Sequence, residues 1–134
     1  MNTPRARVIA GLSVIGIILS CGGRDGTDGF VRQEMAKLQK RTVPPGSTAL
    51  SQSGPIQDRL SKTASWEFET SWDWRQYEGW VISQLQHDFV VRRLEGRRLL
   101  FVRSLRGDTE ELGVEQVPGR FKLKVKVTLA AHPD

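Results

Sequence analysis

The end of the chain alternates between apolar and polar residues without a break, which is the pattern of a strand with one buried face. Over residues 120–130 every second position is apolar, and the positions between them carry lysine or threonine. The apolar positions are Phe121, Leu123, Val125, Val127 and Leu129. We therefore predict a strand over residues 120–130 that turns these side chains towards the core.

Four further segments are predicted strands, because they are rich in apolar residues and separated by Gly- or Pro-containing turns or by a helix. These segments are residues 60–70, 88–94, 98–105 and 110–117. One segment has helical spacing instead: Trp74, Tyr77, Val81 and Leu85 recur along one face of a helix predicted over residues 72–86. The order strand-helix-strand-strand-strand-strand predicts an α+β fold, with one helix packed across a four- to five-stranded antiparallel sheet.

The turn between the last two strands predicts their register. If Pro118-Gly119 forms a two-residue turn, Glu115 lies opposite Lys122, and Glu111 lies opposite Lys126. Such cross-strand charge pairs are common in sheets. The lysine stripe of the last strand therefore predicts a solvated sheet face in preference to a site for phosphate or an acidic polymer.

This order of elements resembles the cystatin-like order, in which a helix lies across a curved antiparallel sheet. The Q-x-V-x-G loop through which cystatins inhibit proteases is absent from the sequence. The resemblance therefore implies a fold and no protease inhibition.

The first 21 residues have the pattern of a targeting segment. Arg5 and Arg7 precede an uncharged apolar run over residues 8–19, which has the length of a signal-peptide core and is too short to span a bilayer. The run ends at Ile18-Leu19-Ser20-Cys21, which resembles the lipobox of bacterial lipoproteins, although Leu19 replaces the small residue more common at its position. The alternatives are a plain signal peptide, an uncleaved anchor or a buried thiol.

The lipobox resemblance implies that residues 1–20 are a signal peptide and that Cys21 becomes the lipidated first residue of the mature protein. Lipid chains on Cys21 would anchor the protein to a membrane without a transmembrane helix. Gly22 follows the cysteine where Asp is associated with inner-membrane retention. In a Gram-negative cell this implies the periplasmic face of the outer membrane.

The sequence predicts three regions. After the signal peptide of residues 1–20, residues 21–59 contain the lipidated cysteine, a Gly-rich tether and a linker rich in Pro, Ser and Gly. Residues 30–41 are compatible with a short, largely solvated helix, because Phe30, Met35 and Leu38 form no clean stripe. Residues 60–134 form the predicted α+β domain.

Charge and composition exclude several function classes. Removal of Arg5 and Arg7 with the signal peptide lowers the formal charge from +5 to +3, which is too mild for a nucleic-acid binder. Cys21 is the only cysteine, so we expect no disulfide. No catalytic motif, metal-ligand spacing or cofactor motif is present. We expect no enzyme activity, no catalytic residue, no bound metal and no cofactor.

Two groups of residues are candidates for a binding surface. Val90, Leu100 and Val102 lie on the strand face opposite the core, where either the linker covers them or a partner binds. Trp72 and Trp80 flank the buried helix face and are candidates for stacking on sugar rings. The sequence thus predicts an envelope lipoprotein with a small non-catalytic interaction domain. It does not identify the partner, for which an envelope protein and a glycan are both candidates. The alternative is a module that binds glycan or peptidoglycan through exposed tryptophans.

Overall fold

The structure is a computed structural model that describes residues 26–58, 61–105 and 107–133. These residues form two helices and six strands. In chain order they are α1 (Gly26–Thr42), β1 (Thr48–Asp58), β2 (Ser61–Thr70), α2 (Trp74–Leu85), β3 (Val90–Leu94), β4 (Arg98–Leu105), β5 (Asp108–Val117) and β6 (Leu123–Pro133). All six strands form one antiparallel sheet in the spatial order β1-β2-β6-β5-β4-β3.

The predicted α+β class with an antiparallel sheet is confirmed, and the finer description needs correction. The sheet has six strands and not four to five, and two helices are present among the described residues. Because α1 and β1 precede the predicted elements, the element order is not that of the cystatin-like resemblance. No helix in the described residues is long and apolar enough to cross a membrane.

Residues 26–58, which the sequence predicted to be tether and linker, are folded against the rest of the chain. Helix α1 contributes Met35 and Leu38 to the core, and both side chains are buried. Strand β1 pairs with β2 and ends the sheet. Pro55 is tolerated in β1 because an edge strand has one side without ladder hydrogen bonds.

One face of the sheet, here called the inner face, carries the core and is covered by both helices. The predicted strand parity is confirmed, because alternate residues of the central strands are buried. The buried apolar residues of the sheet are Ala64, Trp66, Phe68, Leu99, Phe101, Leu112, Val114, Leu123, Val125, Val127 and Leu129. Helix α2 adds Tyr77, Val81 and Leu85 from its predicted face, whereas Trp74 is only partly buried. Each fully buried apolar side chain contributes about 1.5–3 kcal/mol of transfer free energy.

The register of the last hairpin differs from the prediction. Strands β5 and β6 pair Glu115 with Lys126, whereas Glu111 lies opposite Ala130. The predicted pairs Glu115–Lys122 and Glu111–Lys126 are therefore wrong. The pairing is displaced by four residues because the connection spans residues 118–122 instead of Pro118-Gly119 alone. An even displacement keeps every side chain on its predicted face.

The structure also differs from the sequence prediction at the start of the last strand and at the start of helix α2. Phe121 was predicted to be a core residue of the last strand, but it lies in the connection before β6 and is 93% exposed. Helix α2 begins at Trp74 instead of residue 72, because Asp73 caps it: the Asp73 carboxylate accepts a hydrogen bond from the Gln76 backbone N–H over 2.8 Å.

Candidate functional site

The end of α1 is fixed to the sheet and to α2 by hydrogen bonds that meet at Thr42. The Trp66 indole N–H donates to the Thr42 hydroxyl over 3.0 Å, and the hydroxyl donates to the Leu38 carbonyl over 2.8 Å. The Tyr77 phenol donates to the Thr42 carbonyl over 2.7 Å. Burial raises the pKa of the Tyr77 phenol well above its ordinary value.

The chain leaves α1 through a tight turn that borders a groove. The Ser47 N–H donates to the Pro44 carbonyl over 3.2 Å, with Pro45 and Gly46 at the two central positions of the turn. Gly46 has φ of +80°, the left-handed conformation that the third position of a type II turn requires and that glycine adopts readily. The turn places Ser47 beside the end of α1 and the start of β1.

The groove lies between the end of α1, the turn, the β1–β2 edge of the sheet and α2, and has a volume of about 370 Å³. This volume is within the range of small-molecule sites, about 300–1,000 Å³. Most of the lining side chains are apolar or aromatic. They are Val43, Pro44, Pro45, Ala49, Trp66, Phe68 and Trp80.

Two residues that line the groove each have a buried polar atom without a hydrogen-bond partner among the described residues, and sequence reasoning identified neither residue. The two atoms are Oε1 of Gln39 and Oγ of Ser47. The other end of the Gln39 carboxamide is fixed, because Nε2 donates to Gln52 Oε1 over 3.2 Å. Gln39 is only 4% exposed. Buried polar groups are nearly always paired, so each of these two atoms needs a partner that the described residues do not supply.

The two tryptophans proposed for sugar stacking contact each other. The ring centroids of Trp72 and Trp80 are 5.6 Å apart and the planes meet at 75°, an edge-to-face contact. Both rings are half-buried and pack against the core. Trp80 lines the groove. The two rings therefore do not form one flat platform.

The structure brings the other three predicted surface residues together on the outer face of the sheet, opposite both helices. Val90 of β3 lies directly opposite Val102 of β4, with Leu100 two residues from Val102. Leu94 lies on the same face, and we call these four residues the outer patch. Residues 48–58 of the predicted linker do not cover the outer patch, because they form β1 at the opposite edge of the sheet.

Sequence reasoning also missed a buried ionic cluster under α1. The Arg103 guanidinium donates to Glu110 and to Glu34, with N–O distances of 2.7 Å in both cases. It also lies 4.4 Å from the centroid of the Phe89 ring. Arg103 has both carboxylates as partners, so the cluster connects α1 to β4 and β5. The one signal in the sequence is that Arg103 and Glu110 occupy inward positions of predicted strands.

Cys21, the predicted lipidation site, lies outside the described residues. Within residues 26–58, 61–105 and 107–133, no group of three His, Cys, Asp or Glu side chains is arranged to hold a metal ion.

Comparison with known proteins gives one structural likeness. The chain is similar to the protein of a crystal structure described as "LpqN involved in cell envelope biogenesis of Mycobacterium tuberculosis", with a TM-score of 0.42 and 14% sequence identity. The likeness covers 69% of this chain and 69% of that chain. The sequence matches no protein-family model and no curated protein.

Proposed function

We propose that this chain is a lipid-anchored protein of the bacterial cell envelope whose folded domain is a non-catalytic interaction module. The apolar run over residues 8–19 and the Ser20-Cys21 junction support an anchor at Cys21. Gly22 supports the periplasmic face of the outer membrane in a Gram-negative cell. The partner that we propose for the domain is another envelope protein, bound at the outer patch.

The observation that carries this proposal is the local apolar character of the outer patch. On the strands beside it, the outer face carries polar residues, as expected for the solvated side of an antiparallel sheet. These residues include Thr63, Ser65, Glu67, Glu111, Glu115, Lys124, Lys126 and Thr128. Among the described residues, only β3 and β4 place several large apolar side chains on this face, and Val90 is 68% exposed. Arg92 and Arg98 lie on the same face, opposite Leu100 and Leu94. An exposed apolar surface that is bordered by polar residues is typical of a protein–protein interaction site.

The position of the outer patch favours a protein as the partner. β3 is the edge strand of the sheet, so its outer backbone side is available to a strand from another chain.

Site-specific photocrosslinking in intact cells of the native host tests this proposal. A photoreactive amino acid replaces Val90 in one variant and Ile56 in a matched control. Ile56 lies on the same face at the opposite edge and is 55% exposed. We expect a discrete protein adduct from position 90 that is absent from position 56 and lost when Leu100→Lys is added. The same adducts from both positions, or none from position 90, would contradict the proposal.

A glycan-binding module is the second candidate function, supported by the partial exposure of the adjacent Trp72 and Trp80 rings. If it is correct, the purified domain sediments with isolated peptidoglycan, and Trp80→Ala and Trp72→Ala reduce the bound fraction. A bound fraction that is the same for wild type and both variants would contradict it. The control is Phe121→Ala, which removes an exposed aromatic ring away from the groove.

A further inference from the structure

We propose that the groove beside α1 binds an uncharged amphiphile: a molecule with an apolar chain and one hydroxyl or amide N–H that donates to the Gln39 carboxamide oxygen. This goes beyond the proposed interaction at the outer patch. It also does not depend on the anchor at Cys21, because every residue of the groove lies between Gln39 and Trp80.

The shape and lining of the groove favour an apolar chain. Val43 and Pro44 on one side, Trp66 and Phe68 of β2, and Trp80 of α2 present carbon surface to a volume of about 370 Å³. An apolar ligand placed there leaves water and gains dispersion contacts with several side chains at once. A sugar of similar size would leave most of its hydroxyls unpaired against these residues, which costs binding free energy.

The unpaired polar atoms define the polar part of the ligand. Gln39 Oε1 is a pure acceptor, so it requires a donor from the ligand. Ser47 Oγ, the second unpaired atom, can accept or donate as the ligand requires. Both groups are neutral.

The charged residues near the groove do not favour a charged ligand. Lys40 is exposed to solvent, and Glu67 pairs with Lys124 at 3.6 Å. An ionised ligand group would lose its hydration beside the buried Gln39 without gaining a buried counter-charge, which is unfavourable. A neutral donor avoids this cost.

Two isomeric probes separate the donor from the apolar chain. 1-Octanol and heptyl methyl ether have the same composition and nearly the same apolar length, but only the alcohol donates a hydrogen bond. Each is titrated into a chain of residues 22–134, which contains every described residue, and binding is followed by the ¹H–¹⁵N resonances of Ser47 and of the Trp80 indole. We expect saturable shifts at these resonances and none at Val90.

Gln39→Met removes the acceptor while keeping a long apolar side chain, and Gln33→Met is the matched control on the exposed side of α1. We expect wild type and Gln33→Met to bind octanol at least about five-fold more tightly than the ether, because the alcohol satisfies a buried acceptor. In Gln39→Met the preference falls to about one while the ether still binds.

Several results would overturn the proposal. One is the absence of saturable shifts at Ser47 and Trp80 with either isomer. Another is an octanol preference that Gln39→Met leaves unchanged. If Gln39→Met fails to fold, as its ¹H–¹⁵N spectrum would reveal, Ser47→Ala and the wild-type ratio of the two isomers supply the test. A wild-type ratio near one then contradicts a donor-dependent site.

Discussion

The indole N–H of Trp66 and the hydroxyl of Thr42 form a buried hydrogen bond of 3.0 Å, which joins an inward residue of the sheet to the last residue of α1. The same threonine accepts a hydrogen bond from Tyr77 at its carbonyl. One residue thus connects α1, β2 and α2. Because residues around it line the groove, its hydrogen bonds hold the groove in shape.

Thr42→Val tests this connection, because valine has the shape of threonine but no hydroxyl. The substitution leaves the Trp66 N–H buried without an acceptor, so we expect a loss of about 1–3 kcal/mol in the free energy of unfolding. Urea denaturation of residues 22–134 measures it. Thr63→Val, on the exposed outer face, is the control and should stay within about 0.5 kcal/mol of wild type. Equal losses of unfolding free energy in the two variants would contradict a stabilising contribution from the buried hydrogen bond.

Arg103→Met should lower the free energy of unfolding more than Thr42→Val does. It leaves the Glu34 and Glu110 carboxylates buried without their common cation, and breaking a buried ionic cluster in this way costs about 3–5 kcal/mol. Arg93→Met is the matched control: Arg93 pairs with Glu78 at the surface, and its loss should cost less than about 1 kcal/mol. Thermal melts of both variants make the comparison, and a control that melts as low as Arg103→Met would refute the difference in burial.

Tyr77 predicts a pH dependence that can be followed directly, because it is the only tyrosine of the chain. Burial raises the pKa of its phenol in the folded state. A raised folded pKa gives stability that is fully present below the unfolded pKa of about 10 and is lost as the pH rises towards the folded pKa. Tyrosinate absorbance should therefore appear near pH 10 in urea and at clearly higher pH in the folded protein. Coincident titration curves would contradict the buried phenol.

The sequence predicted correctly those parts of the fold in which apolar residues recur at regular spacing. The alternation that ends in Leu129 and the helix face of Val81 and Leu85 reflect burial in the chain itself, so they were predicted correctly. The register of β5 and β6 was not, because Pro118-Gly119 indicates a turn but does not determine how many residues it contains.

The packing of helix α1 against the sheet, and the groove beside it, were not predicted from the sequence for a different physical reason. The buried face of α1 includes Glu34, Gln39 and Thr42, whose burial depends on partners far away in the sequence, such as Arg103. A short helical segment with many polar residues and no clean apolar stripe predicts a solvated helix unless those partners are known. The groove depends on the same packing, so only Trp80, one of its aromatic residues, was singled out as a surface candidate.

The mass of the mature protein purified from its native membrane tests the anchor at Cys21, which is the first part of the proposed function. Intact-protein and peptide mass spectrometry should show a chain that lacks residues 1–20 and begins at Cys21 with a diacylglyceryl group on its sulfur. Cys21→Ser should release the protein from the membrane fraction. A native protein that retains Met1, or a soluble mature chain with an unmodified Cys21 thiol, would contradict the proposal.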